Sequence, residues 1–192
     1  MYTVAMETTP DRLIESTREL LWERGYVGTS PKAIQQRSGV GQGSMYHHFS
    51  GKPELALAAV RRTAEQMRET AERELALPGT AVERVSRYLR RERDVLRGCP
   101  IGRLTQDPEV VTSPQLRAPL DETFEWLRGR LADVLAEGQA RDEIAPGLDT
   151  GDIAAALVAV LQGGYVLARA AGSAAPFDHA VSGALALLTQ RA

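Results

Sequence analysis

Residues 29–49 read TSPKAIQQRSGVGQGSMYHHF, and a short helix over 42–48 would turn Gln42, Gly43, Ser44, Tyr46 and His47 to one outer side. These are short or hydrogen-bonding groups, with no acidic residue among them to repel a phosphate backbone. A Gln carboxamide pairs with adenine edges, while Ser and Gly let a helix come close to bases. Tyr46, His47 and Lys52 suit phosphate oxygens, contacts that position a protein without reading sequence. Upstream, a Thr29 or Ser30 hydroxyl is placed to cap a helix whose first N–H groups and dipole favour a phosphate, with Lys32 close behind.

Two short helices must position these groups. The spacing predicts them over Pro31–Ser38 and Gln42–His48, separated by Gly39-Val40-Gly41, which is the pattern of a helix-turn-helix. Ile34, Val40 and Met45 are spaced to form its small internal core. Gly39 stands where the chain leaves the first helix, and a positive φ is expected there. Before this pair, Pro10 to Gly25 has helical period, with Thr9 as N-cap, Pro10 in the first turn and Gly25 as the stop. Further helices are expected over Pro53–Leu77, from Thr80 to Arg97, from about Ser113 to Ala140, over Asp149–Ala171 and over Pro176–Gln190. Ile101–Asp107 reads as at most a short helical turn. No period-2 run of β-formers occurs, so the expectation is an all-α chain of about nine helices.

Charge is unevenly spread. Arg24 to Lys52 holds four basic residues and no acid, a local +4 within a net −2, so the remainder carries −6. That asymmetry suits an anion-facing module on an acidic body. Apolar residues at 43% and charged residues at 25% exclude a disordered chain. A single cysteine, Cys99, excludes an intrachain disulfide and any multi-cysteine metal or iron–sulfur site. No apolar run reaches the roughly 18 residues of a spanning helix, so no membrane partner is expected. The start, MYTVAMETTPDRL, has neither the basic flank nor the apolar stretch of a secretory signal, which makes the cytoplasm the default location.

The stretch resembles the DNA-binding domain of the TetR (tetracycline-repressor) family. Thr29, Ile34, Gly39, Val40, Gly43, Tyr46, Phe49, Lys52 and Leu55 fall in register with that family's motif, over about residues 10–57. Gln35 departs from it, since the family usually places Ala at this tight crossing. The longer side chain must bend to solvent or open the two helices slightly. The resemblance implies an N-terminal three-helix DNA-binding domain, residues 1–52, joined to a helical regulatory domain, residues 53–192. Phe49 would anchor the second short helix, and the segment from Lys52 to Leu77 would link the two domains.

The resemblance further implies a homodimer on a palindromic operator in double-stranded DNA and a small-molecule effector. Dimerisation would use the last two helices, rich in Ala and Gly, through Ile153, Leu157, Val160, Gly164, Val181, Leu185 and Leu188. Met67, Tyr88, Leu104, Phe124, Leu127, Leu161 and Tyr165 are candidates for a mostly apolar effector chamber. Repression relieved by ligand is the leading reading. An activator, a ligand-independent regulator and a thiol-responsive one through Cys99 stay open, as does burial of Cys99 as a small hydrophobe.

Other classes fit less well. The glycine-rich GVGQGS at 39–44 follows no strand, so it is a poor match to a nucleotide-binding loop. No nucleophile elbow, Cys–His pairing or carboxylate pair at catalytic spacing points to an enzyme, and no cofactor is implied. Adjacent His47 and His48 on a helix point about 100° apart, unsuited to one zinc ion, and no metal is expected. A helical interaction module without DNA binding would leave Gln42, Ser44, Tyr46 and His47 without a role.

Overall fold

Thr8, one residue before the expected cap, opens the first helix. Its hydroxyl accepts the Asp11 N–H at 3.3 Å, and Pro10 sits in the first turn, where its missing N–H costs nothing. A computed structural model describes residues 8–189. Its helices are α1 (Thr9–Arg24), α2 (Pro31–Ser38), α3 (Gln42–His48), α4 (Lys52–Ala76), α5 (Ala81–Arg90), α6 (Pro108–Thr112), α7 (Pro114–Gln139), α8 (Thr150–Ala171) and α9 (Ala175–Thr189). A single 3-10 turn covers Leu104–Gln106, and no strand occurs among the described residues. The expectation of an all-α chain with about nine helices is met. Gln190, the expected last residue of α9, lies outside the described residues.

Two local departures have clear causes. Thr80 and Glu83 form a reciprocal capping box at the start of α5, but that helix stops at Arg90 instead of Arg97. The Arg93 guanidinium caps its end, donating to the carbonyls of Tyr88 at 2.6 Å and Leu89 at 2.9 Å, with Arg91 also donating to Tyr88. Leu96, expected on the apolar stripe, is therefore 46% exposed. The short α6 was absent from the expectation. Asp107 caps it by accepting the Glu109 N–H, and Pro108 occupies its first position.

Among the described residues, backbone packing groups 8–64 with Pro100–Leu120, and Glu65–Cys99 with 121–189. This grouping does not follow a cut at residue 52. The first half of α4 packs with α1, as Arg18 donates to Thr63 at 2.9 Å and Arg62 pairs with Asp11 at 2.8 Å. Leu13, Leu20 and Leu21 of α1 and Leu55, Ala56, Ala59 and Val60 of α4 are buried in this first unit.

In the second unit α8 packs along α9, and α9 against α5. Gly164 lies at the α8–α9 crossing, where a Cβ would come within 2.9 Å of the Phe177 ring. Arg84 is held between the Leu75 carbonyl and the Glu137 carboxylate, and Arg130 pairs with Glu72 at 2.8 Å. By length and composition α8 is apolar enough to cross a membrane, which a count of consecutive apolar residues missed. Gln162, Gly163, Gly164 and Arg169 interrupt such a run while leaving the average apolar. A third of the most apolar stretch of α8 is buried within the chain.

Candidate nucleic-acid interface

The helix-turn-helix is assembled from the end of α1 onward. Gly25 ends α1 with φ 73°, its N–H donating to the Leu21 carbonyl at 2.9 Å. Ser30 then caps α2, its hydroxyl accepting the Ala33 N–H at 3.2 Å. Gly39 ends α2 in the left-handed region at φ 66°, ψ 20°, the conformation expected of it. Arg12 of α1 reaches over to donate to the Ser38 carbonyl. Gly41 precedes α3 with no side-chain cap. Ile34, Val40 and Met45 are buried, as their spacing predicts, with Leu13 and Leu20 of α1. Gln35 is half-buried and donates its amide to the Met45 sulfur at 3.8 Å.

With Met45 turned inward, Gln42, Gly43, Ser44, Tyr46, His47 and His48 are all exposed, Tyr46 by 47%. The His47 and His48 rings lie edge to face, centroids 5.0 Å apart. A Cβ on Gly43 would meet nothing within 4 Å, and the same holds at Gly41. Neither glycine is required by packing, and both leave open surface beside Gln42. Lys32 and Ser30 are exposed on the preceding helix.

Two candidates are placed differently from the sequence expectation. Thr29 is 1% exposed and turns inward, its hydroxyl donating to the Gly25 carbonyl at 2.7 Å and its N–H bonded to Tyr26. It braces the α1–α2 turn and has no outward hydroxyl. Lys52 is half-buried, with its ammonium 3.8 Å from the centre of the Tyr26 ring, a cation–π contact. Burial pushes the Tyr26 hydroxyl up, and the Glu109 and Asp107 carboxylates add to that. Arg37 is held by Glu23 in a two-pronged pair, both contacts 2.9 Å, which also raises its pKa. That pair offsets part of the local basic excess.

A family model described as bacterial regulatory proteins, tetR family, matches residues 13–59, and one described as a tetracyclin repressor-like C-terminal domain matches residues 79–184. The chain belongs to the TetR family. A TetR transcriptional regulator from Chloroflexus aurantiacus is 30% identical over 95% of both chains, with a TM-score of 0.83. An HTH-type transcriptional regulator of Mycobacterium tuberculosis is 27% identical over 177 residues, 90% of each chain. A TetR-family regulator, CifR, solved with a 26-bp operator duplex, shares the fold at a TM-score of 0.80 and 22% identity, covering 98% of this chain and all of that one. This TetR-family chain is accordingly a DNA-binding transcriptional regulator.

The regulatory candidates are spread through the chain. Leu104 is buried in the first unit of this TetR-family protein, and the other six effector candidates belong to the second. Tyr88, Leu127, Leu161 and Tyr165 are buried, while Met67 and Phe124 are half-buried. Arg93 joins two of them, donating to the Tyr165 hydroxyl at 3.0 Å as well as to the Tyr88 carbonyl. Phe177 stacks beside Tyr165 with centroids 4.9 Å apart. Burial pushes both tyrosine hydroxyls up, against the opposing pull of the arginines. Cys99 is 6% exposed. A surface recess of about 840 Å³, lined by residues including Val82, Ile144, Leu148 and Leu188, contains none of the effector candidates.

Of the dimerisation candidates, Leu157, Gly164, Val181, Leu185 and Leu188 are buried within this single chain, and Ile153 and Val160 are half-buried. The large outward apolar residues of α8 and α9 are Val166, Leu167 and Leu187, the last 71% exposed. Helical period marks an apolar face, but two apolar faces on one helix look alike until a neighbour covers one of them. Arg12, Arg103 and Asp107 also escaped the sequence reading, because their partners are backbone groups distant in sequence.

Proposed function

We propose that this TetR-family regulator is a homodimeric repressor that reads a palindromic operator through α3 and is released by a small-molecule effector. In this reading the N-terminal residues carry DNA binding and the remainder carries regulation and dimerisation. The observation that carries it is the exposed, acid-free face of α3, with Gln42, Gly43, Ser44, Tyr46 and His47 held on the buried Ile34–Val40–Met45 core. A seven-residue helix covers too few bases to specify a site by itself, so two copies related by a two-fold axis are needed. The outward Val166, Leu167 and Leu187 supply an apolar face for the second copy.

Release follows from population shift. An effector weakens operator binding only by its differential affinity for two states, a coupling typically of about 1–3 kcal/mol. The decisive experiment is selection of bound sequences from random duplex DNA, with the recovered sites titrated in salt. A two-fold palindrome with half-sites roughly 34–36 Å apart, or a multiple, is the expected result. No enrichment over non-specific binding at any salt overturns the proposal.

A further inference from the structure

We infer that Arg103 and Asp107 are positioning residues for operator binding, acting on the α1–α2 turn from a segment that belongs by sequence to the regulatory domain. This rests on the function proposed above. The C-terminal family model spans 79–184, yet Pro100–Leu120 packs with the helix-turn-helix.

Asp107 is 8% exposed. Its Oδ2 accepts the backbone N–H groups of Tyr26 at 2.8 Å and Val27 at 2.9 Å, while its Oδ1 accepts the Glu109 N–H. Arg103 donates through Nη1 to the carbonyls of Glu23 at 2.5 Å and Trp22 at 3.3 Å. A helix C-terminus leaves carbonyls unpaired and carries partial negative charge, which a guanidinium complements. The turn beyond it presents N–H groups, which a carboxylate complements. Gly25 lies between the two contacts, and a Cβ there would come within 3.0 Å of Asp107 Oδ2. The turn thus has a residue small enough for the carboxylate to approach.

The residues held in this way hold others. Glu23, whose carbonyl Arg103 binds, fixes α2 through its carboxylate pair with Arg37. Tyr26, whose N–H Asp107 binds, carries the Lys52 ammonium at the start of α4 on its ring. One strap therefore ties down both flanks of α3: α2 before it and the α4 N-terminus after it. The strap is continuous in sequence with the second unit at Cys99 and again within α7 at Asp121. A rearrangement there that draws the strap away loosens the frame presenting α3, without touching DNA.

The test uses the full chain with Asp107→Asn and Arg103→Gln, each titrated against the selected operator and a scrambled duplex of equal length. Asn remains a good N-cap, so α6 is retained while the charge on the turn is lost. Operator affinity should fall about tenfold, as charge-assisted hydrogen bonds become neutral or are lost. Affinity for the scrambled duplex and the salt slope should stay unchanged, and the Tyr26 and Val27 amides should exchange faster. Equal loss on both duplexes would mark a merely structural role and overturns the inference, as does unaltered operator binding by folded Arg103→Gln. Arg103→Lys should recover part of the loss. A wild-type chain that selects no operator overturns the proposed function and this inference with it, whereas a selected operator bound by both variants as tightly as by the wild-type chain overturns the strap alone.

Discussion

At the scale of single residues, base reading and backbone contact separate by their response to substitution. Gln42→Ala should change preference at one or two base positions, with about 1–3 kcal/mol lost at each, measured by binding to a panel of operator variants. Lys52→Ala should weaken binding to all sequences alike and lower the salt slope by roughly one. It should also destabilise the free protein by about 0.5–1 kcal/mol through its contact with Tyr26, a term visible in urea unfolding. Gly43→Ala separates folding from binding: the new Cβ meets nothing and gains about 0.5–1 kcal/mol of helix propensity, yet operator affinity should fall. The exposed set on α3 was legible because Met45 alone of that helix is apolar enough to turn inward. Thr29 was not, since a hydroxyl beside a helix start serves equally as an outward cap or an inward brace.

At the scale of elements, the pairing of α8 with α9 divides their apolar residues into an inner and an outer set. Leu185→Ala removes a buried side chain and should cost about 2–5 kcal/mol of stability, read in denaturant unfolding, whatever the oligomeric state. Leu187→Glu acts on the exposed face and should leave monomer stability within about 0.5 kcal/mol while shifting sedimentation equilibrium toward monomer. Helix positions were readable from period and caps, with bounds within a residue or so for α1, α2, α3, α7 and α8. The exceptions are α6, which no sequence signal predicted, and α5. Its apolar period continues past Arg90, but the Arg93 fork closes the helix by occupying its terminal carbonyls.

At the scale of the whole molecule, charge pairs govern the acid branch of stability. Arg84 holds the Glu137 carboxyl below its ordinary value of 4.5, with Arg130 and Arg141 adding to the effect. Across the window from 4.5 down through the lowered folded value, the unfolded chain binds more protons, so stability falls as pH falls. Glu137→Gln should flatten that branch in urea unfolding curves taken from pH 6 down to about pH 3. A variant with the wild-type slope would show that the pair carries no such linkage.

By itself the sequence determined the helical class, most helix starts and stops, and the exposed, acid-free face of α3. Each depends on local spacing and on the chemistry of the neighbouring few residues. Only the tertiary structure decided which apolar face of α8 and α9 stays open, that Lys52 rests on Tyr26, and that Asp107 and Arg103 reach the α1–α2 turn. The Asp107 and Arg103 contacts join residues up to 81 positions apart and engage backbone N–H and C=O groups. Every residue but proline offers an N–H, and all offer a C=O, so side-chain type and spacing carry no mark of such a partner.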